Sequence, residues 1–348
     1  AGTPLELDGT LFPAWTPPIF PWVAPGPEGV VVLRREGGAL PAIDPATLRT
    51  RPERLRVTWL GHAAALIQTP TLNLLTDPML GRRASPLPFA GPERLTPLPL
   101  ALDDLPLLDV VLLSHDHYDH LDRGSIQAIQ QRFAPLFLAP LGVGEIVRGW
   151  GATRVLELDW WQYVVADGVR YHCTPAKHFA GRTPGGRDAT LWAGWMLEWA
   201  DDLKLYFAGD SGYAPLFGDI RERLGAPDLA LLPIGAYAPR WFMQAVHVDP
   251  AEAVQAARDL RARHVTPTHW GTCDRADEPL PEPPALFRRH AASAGLAGAV
   301  HVLDVGGTFT LPAEPTPSTP PPANGQDHTQ NGQATTPAHT RPDDGSSG

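Results

Sequence analysis

The feature that most narrows the folds open to this chain is a polar cluster at the end of an apolar run. Residues 108–122 read LDVVLLSHDHYDHLD. Val110, Val111, Leu112 and Leu113 form a short apolar run bounded by polar residues, the pattern of a buried strand. His115 and His117 stand two positions apart, so on extended backbone both rings point the same way and can share one metal ion. The chain then turns, and Asp119 and His120 can reach a second ion beside the first. Three imidazoles and a carboxylate within six residues suit neither a core nor an ordinary solvated turn.

Other ligand-type residues follow the same rule. LRVTWLGHAAALIQT and TLNLLTDP read as two strands around a Thr-Pro turn, and Asp77 ends the second. VRYHCTPAKHF is a strand that ends near His178, 58 residues beyond His120, room for a strand-helix-strand excursion. There a third histidine would complete a cage with His115 and His117. LKLYFAGDSGY ends in Asp210 after Ala-Gly, where backbone can pass close, and a carboxylate there suits a bridge between two cations. RHVTPTHWGT is a strand with His269 at its end, 59 residues past Asp210. Each of these groups sits just past the C-terminal end of a strand, the edge at which α/β sheets gather their sites. His62, after Gly61, reads equally well as a residue near the centre and as a satisfied buried histidine.

Two helices complete the α/β pattern. Asp122 is placed to cap a helix carrying Ile126, Ile129 and Phe133 on one face. In VDPAEAVQAARDLR, Asp249 caps, Pro250 takes the first helical position and Glu252 reaches back as in a capping box.

The 348 residues, 43% of them hydrophobic, suffice for one large domain. Composition divides them into three parts. Residues 1–55 are rich in proline and aromatics (LFPAWTPPIFPWVAP) and read as an extended arm, or else as a membrane-touching segment. Residues 56–311 carry every motif. From 312 to 348 there is no Val, Ile, Leu, Met or aromatic residue, so this tail is expected to be disordered. The net charge of -10 and the lack of a basic stripe argue against nucleic acid as a partner. Cys173 and Cys273 make no disulfide framework and point to a reducing compartment. With no apolar run of spanning length, the expected location is cytoplasmic, with peripheral membrane contact and a homodimer both compatible with the sequence.

The H-x-H-x-D-H run resembles the signature of the metallo-β-lactamase superfamily. VTWLGHAAALIQ, LLTDP, RASPLPFAGPER, SHDHYDHLD, ELDWW, RDATLWAGW, YFAGDSGY, LALLPIGAYAPRWFM, HVDPAEAV, HWGT and DEPLPEPP, running from Val57 to Leu311, resemble the N-acyl-phosphatidylethanolamine-hydrolysing phospholipase D family within it. The resemblance implies an αββα sandwich of two mixed sheets flanked by helices, with two metal ions. By matched position, one ion would take His115, His117 and His178, and the other Asp119, His120 and His269. Asp210 would bridge them, with Asp77 and His62 supporting from outside the ligand set. Cys273 departs from the family, which leads one to expect an aromatic after HWGT.

An imidazole and carboxylate set without thiolate suits zinc, with iron or manganese as lesser options. A hydroxide between two such ions is the expected nucleophile. Asp210 and His247 are the candidates for protonating the leaving group, and Asp119 is counted with the catalytic residues. Tyr118 and the segment from Gly235 to His247, with Tyr237, Arg240, Trp241, Phe242 and Met243, are the expected substrate wall. Arg240 could pair with phosphate. The expected function is phospholipase D-type hydrolysis of N-acyl-phosphatidylethanolamine-like lipids. A lactone, carboxylic ester or sugar-phosphate hydrolase of the same fold is the alternative, and a non-catalytic scaffold the remote one.

Overall fold

A computed structural model describes residues 43–183 and 185–312. The aromatic run expected to form an arm and the expected disordered tail lie outside the described residues, apart from residues 43–55 and Pro312.

Thirteen strands and seven α-helices alternate along the described chain. The first half contains α1 (Pro45–Arg49), β1 (Arg56–Gly61), β2 (Ala64–Gln68), β3 (Asn73–Thr76), β4 (Val110–Leu112), α2 (Arg123–Phe133), β5 (Leu136–Pro140), α3 (Val143–Gly149) and β6 (Val155–Leu158). The second contains β7 (Tyr163–Ala166), β8 (Val169–Thr174), β9 (Gly194–Trp199), β10 (Lys204–Phe207), α4 (Leu216–Leu224), β11 (Leu229–Pro233), α5 (Arg240–Met243), α6 (Pro250–Leu260), β12 (His264–Thr268), α7 (Glu282–Ser293) and β13 (Thr308–Thr310).

The strands form two mixed sheets. One has seven strands in the order β13-β1-β2-β3-β4-β5-β6, and the other six in the order β12-β11-β10-β9-β8-β7. β3 to β6 run parallel and end at the edge strand β6, as β10 to β12 do at β12, while all the other pairs are antiparallel. Strand alternation explains the layering. Val110 and Leu112 of β4 face Leu205 and Phe207 of β10 and Leu229 and Leu231 of β11 in a core between the sheets. Val111 and Leu113 point the other way, onto Ile126 and Ile129 of α2. Tyr206, Ala230 and Leu232 likewise turn outward onto α4, α6 and α7. Helices therefore cover both outer faces, the αββα sandwich expected from the resemblance. Because central strands are covered on both sides, they read as continuous apolar runs.

The helix starts behave as their sequences predict. Asp122 accepts from Ser125 N, and Asp249 and Glu252 form the reciprocal capping box at α6. The proline-rich start departs from expectation within its described end. Asp44 caps α1, and Leu48 is buried beside Leu60 and Leu66, so the folded unit already includes residues from 43 onward.

Candidate metal centre

The parallel strands deliver the expected residues to one end of the sandwich. Asp77 follows β3, the His115–His120 loop follows β4, His178 follows β8, Asp210 follows β10 and His269 directly follows β12. Tight backbone contacts bring them together. Gly209 adopts φ +60°, and a Cβ there would lie 2.6 Å from Ser114 Cβ, so glycine lets β10 close against the loop after β4. Asp77, His62 and His269 also have positive φ, at 31°, 53° and 61°. Such backbone is uncommon outside glycine and concentrates at functional sites.

Two clusters meet at Asp210. In the first, His117 Nδ1 lies 2.9 Å from His115 Nε2 and 3.3 Å from His178 Nε2. His178 donates its Nδ1–H to Val246 O at 2.9 Å, so its Nε2 turns a lone pair inward. Two nitrogens on a tetrahedral zinc with Zn–N bonds of about 2.0–2.1 Å stand about 3.3 Å apart, close to the spacing seen here. In the second cluster, His120 Nε2 and His269 Nε2 each lie 3.1 Å from Asp210 Oδ2, and 3.4 and 3.5 Å from Asp119 Oδ2. The same Asp210 oxygen is 4.0 Å from His115 Nε2 and 3.8 Å from His178 Nε2. One carboxylate therefore faces both clusters.

Asp77 and His62 support this set. Asp77 Oδ2 accepts from His120 Nδ1 at 2.7 Å and from Ser114 Oγ, and Oδ1 accepts from Ser114 N at 2.7 Å. The contact leaves His120 Nε2 directed into the centre. His62 Nε2 is 2.8 Å from Asp119 Oδ2, so of its two readings the one near the centre holds. His247 Nδ1 lies 3.9 Å from Asp210 Oδ2, beside the rings of His178 and His269.

The electrostatics of the centre are those of a cation site. Burial pushes His62 and His117 down to about 3 and His178 to about 4, and holds His115 and His247 well below the usual range. Burial opposes charge on His120 and His269 as well, but Asp210 and Asp119 beside them outweigh it and raise both. Burial also opposes charge on the two carboxylates, and it is outweighed by Arg275 and His120 at Asp119 and by His120 and His269 at Asp210. Buried polar atoms are normally paired, yet His120 Nε2, His269 Nε2, His247 Nδ1 and Asp210 Oδ1 have no hydrogen-bond partner. Inward lone pairs and unpaired carboxylate oxygens gathered at one point fit divalent cations. Of the seven residues matched as ligands, only His117 is not buried, so solvent reaches the centre past it.

The expected substrate wall is rearranged. Arg240 donates to Glu252 Oε2 at 2.8 Å and to His247 O at 2.9 Å, with Asp249 at 3.4 Å, so it braces the loop instead of facing a phosphate. Tyr237 is buried with its hydroxyl 2.5 Å from Glu282, and Tyr118 donates to Arg182 O. Trp241 is 78% exposed and packs edge-on against Phe242, and Met243 is half-buried, so α5 is a surface element near His247.

Sequence reasoning missed Arg275, whose Nη1 lies 3.0 Å from Asp119 Oδ1. It is in the loop after HWGT, where Cys273 is buried against Met79, Ala84 and Tyr118. No spacing in the sequence signals this contact.

Comparison with known proteins agrees with this geometry. The model for the beta-lactamase superfamily domain matches residues 72–270. The chain is 40% identical over 229 residues to the N-acyl-phosphatidylethanolamine-hydrolyzing phospholipase D 1 of Caenorhabditis elegans, a match covering 63% of this chain and 64% of that protein, under two thirds of its length. It is 33% identical over 259 residues to a metal-dependent hydrolase of Rubrobacter xylanophilus, covering 72% of this chain and 94% of the relative. Among solved structures, the isothiocyanate hydrolase from Delia radicum gut bacteria superposes with a TM-score of 0.61 at 21% identity, covering 74% of this chain and 100% of that one. At that identity the likeness concerns the fold alone.

Proposed function

The chain belongs to the metallo-β-lactamase superfamily and is a metal-dependent hydrolase of that fold; on that premise we propose that it is a dinuclear zinc phosphodiesterase of phospholipase D type, acting on N-acyl-phosphatidylethanolamine-like lipids. The observation that carries the two-ion reading is the position of Asp210 Oδ2, 3.1 Å from two ring nitrogens of one cluster and 3.8–4.0 Å from two of the other. In this reading His115, His117 and His178 hold one ion, Asp119, His120 and His269 hold the other, and Asp210 joins them. Two divalent ions in such a centre supply Lewis acidity, polarising a phosphoryl oxygen and acidifying water.

The chain's own groups do the rest. Val246 O fixes the tautomer of His178, and Asp77 fixes that of His120. His62 anchors Asp119. His247, with Nδ1 unpaired beside Asp210, is assigned to hydrogen-bond the leaving oxygen as that oxygen takes up the proton released by the attacking water. Its burial favours the neutral ring, so it serves as a hydrogen-bond partner of the leaving oxygen rather than a fixed cation.

The lipid part of the reading is supported by the relatedness to the nematode phospholipase D and by the exposed Trp241 at the surface near His247. Aromatic side chains of this kind favour membrane interfaces, consistent with peripheral contact with a bilayer. No helix among the described residues is long and apolar enough to cross a membrane. Zinc-loaded protein incubated with vesicles of N-acyl-phosphatidylethanolamine should release phosphatidic acid and N-acylethanolamine. Intact lipid alongside rapid opening of lactones or carboxylic esters would instead establish the second reading, a hydrolase of another ester.

A further inference from the structure

The two clusters differ in one respect that the ligand set does not explain. Asp119 carries a guanidinium on its far oxygen, with Arg275 Nη1 3.0 Å from Oδ1, while Oδ2 faces His62, His120 and His269. No arginine or lysine pairs with a residue of the His115, His117 and His178 cluster among the described residues. The Arg275 side chain remains 30% exposed, and it lines a cavity with His62, His269, Cys273 and Glu278 that reaches the centre from the HWGT loop.

We infer that Arg275 is a built-in competitor for the carboxylate-rich half of the centre, making its two metal positions unequal. The inference rests on the two-ion reading above. The position served by Asp119, His120 and His269 fills last and empties first, because an ion there shares Asp119 with a fixed positive charge. Arg275 also bears on His117, but it holds no ligand of the three-histidine position, so that position fills first. A unit charge within a few ångström of a divalent ion lowers that ion's affinity by about tenfold or more even with water-like screening. Arg275 is thus a positioning residue: it holds Asp119 in place in the metal-free chain and sets how tightly the second ion is kept.

The test is competitive zinc titration of the chelator-stripped full chain against a chromophoric chelator, for the wild type, Arg275→Met and Arg275→Lys. Circular dichroism and melting temperature establish that each variant is folded. The wild type should bind two ions with clearly separated affinities. Arg275→Met should tighten the weaker site by about tenfold or more and the tighter one by clearly less. Arg275→Lys, which keeps the charge, should preserve the gap. A second ion bound by Arg275→Met no more tightly than by the wild type overturns the inference. Uptake of fewer than two ions by both the wild type and Arg275→Met overturns the two-ion reading as well. A wild type that takes one ion and a Met variant that takes two supports both.

Discussion

The two halves of the centre solve the same problem differently. The trio of His115, His117 and His178 brings three ring nitrogens together with no carboxylate closer than Asp210, 3.8 Å from His178 and 4.0 Å from His115. The half formed by Asp119, His120 and His269 balances itself, since Asp119 and Asp210 draw the pKa of His120 and His269 upward and Arg275 neutralises Asp119. The lesson is that buried carboxylates must find positive charge nearby, whereas buried neutral rings need none. One half takes that charge from protons and an arginine, and the other has no carboxylate of its own to balance.

The largest effect that would break this comparison is removal of the group common to both halves. Asp210→Ala should lower turnover of a phosphodiester by on the order of 10³-fold and deplete both metals by elemental analysis. Loss confined to one metal would show that the halves are independent. Next comes Asp77→Asn, which weakens the grip on His120 but not on the trio. Metal affinity should fall about 10–100-fold, and only for one of the two ions. Loss at both sites would mean that Ser114, which also donates to Asp77, transmits the change to His115.

Acid sharpens the contrast. His62 and His117 at about 3 and His178 at about 4 resist protonation in the folded chain, whereas an ordinary histidine takes up a proton near 6.5. Below that value the unfolded state binds more protons, so these groups cost stability as pH falls toward 4. His120 and His269 act oppositely: their raised pKa values give a contribution complete at low pH and lost as pH rises through the folded values. Five histidines of the centre are lowered and two raised, so the metal-free chain should unfold at lower urea concentration at pH 5 than at pH 7.5. A higher midpoint at pH 5 would mean that the balanced half dominates. The smallest effect is expected outside both halves. Trp241→Ala, at an exposed position, should change stability by no more than about 0.5 kcal/mol while raising KM for a vesicle substrate and not for a soluble phosphodiester.

Much of this was legible in the sequence because strand ends are local features. The buried strand at Val110, Val111, Leu112 and Leu113, the caps at Asp122 and Asp249, and the placement of His178, Asp210 and His269 past strand ends all follow from short windows. Residues whose roles depend on distant partners were not legible. Arg240 reads like a phosphate ligand until Glu252 and Asp249 are seen beside it. Arg275 lies 156 positions from Asp119 in the chain, and nothing in its neighbours announces the contact. Leu48 is buried because a short helix capped by Asp44 follows the proline-rich stretch, which composition alone could not separate from it.

The most direct test is anomalous diffraction at the zinc edge from crystals of the full chain grown with zinc. Two peaks are predicted, roughly 3.5–4 Å apart. One should lie among His115, His117 and His178, the other among Asp119, His120 and His269, with Asp210 between them. A single peak elsewhere, or none in a crystal whose centre is otherwise ordered, would contradict the account.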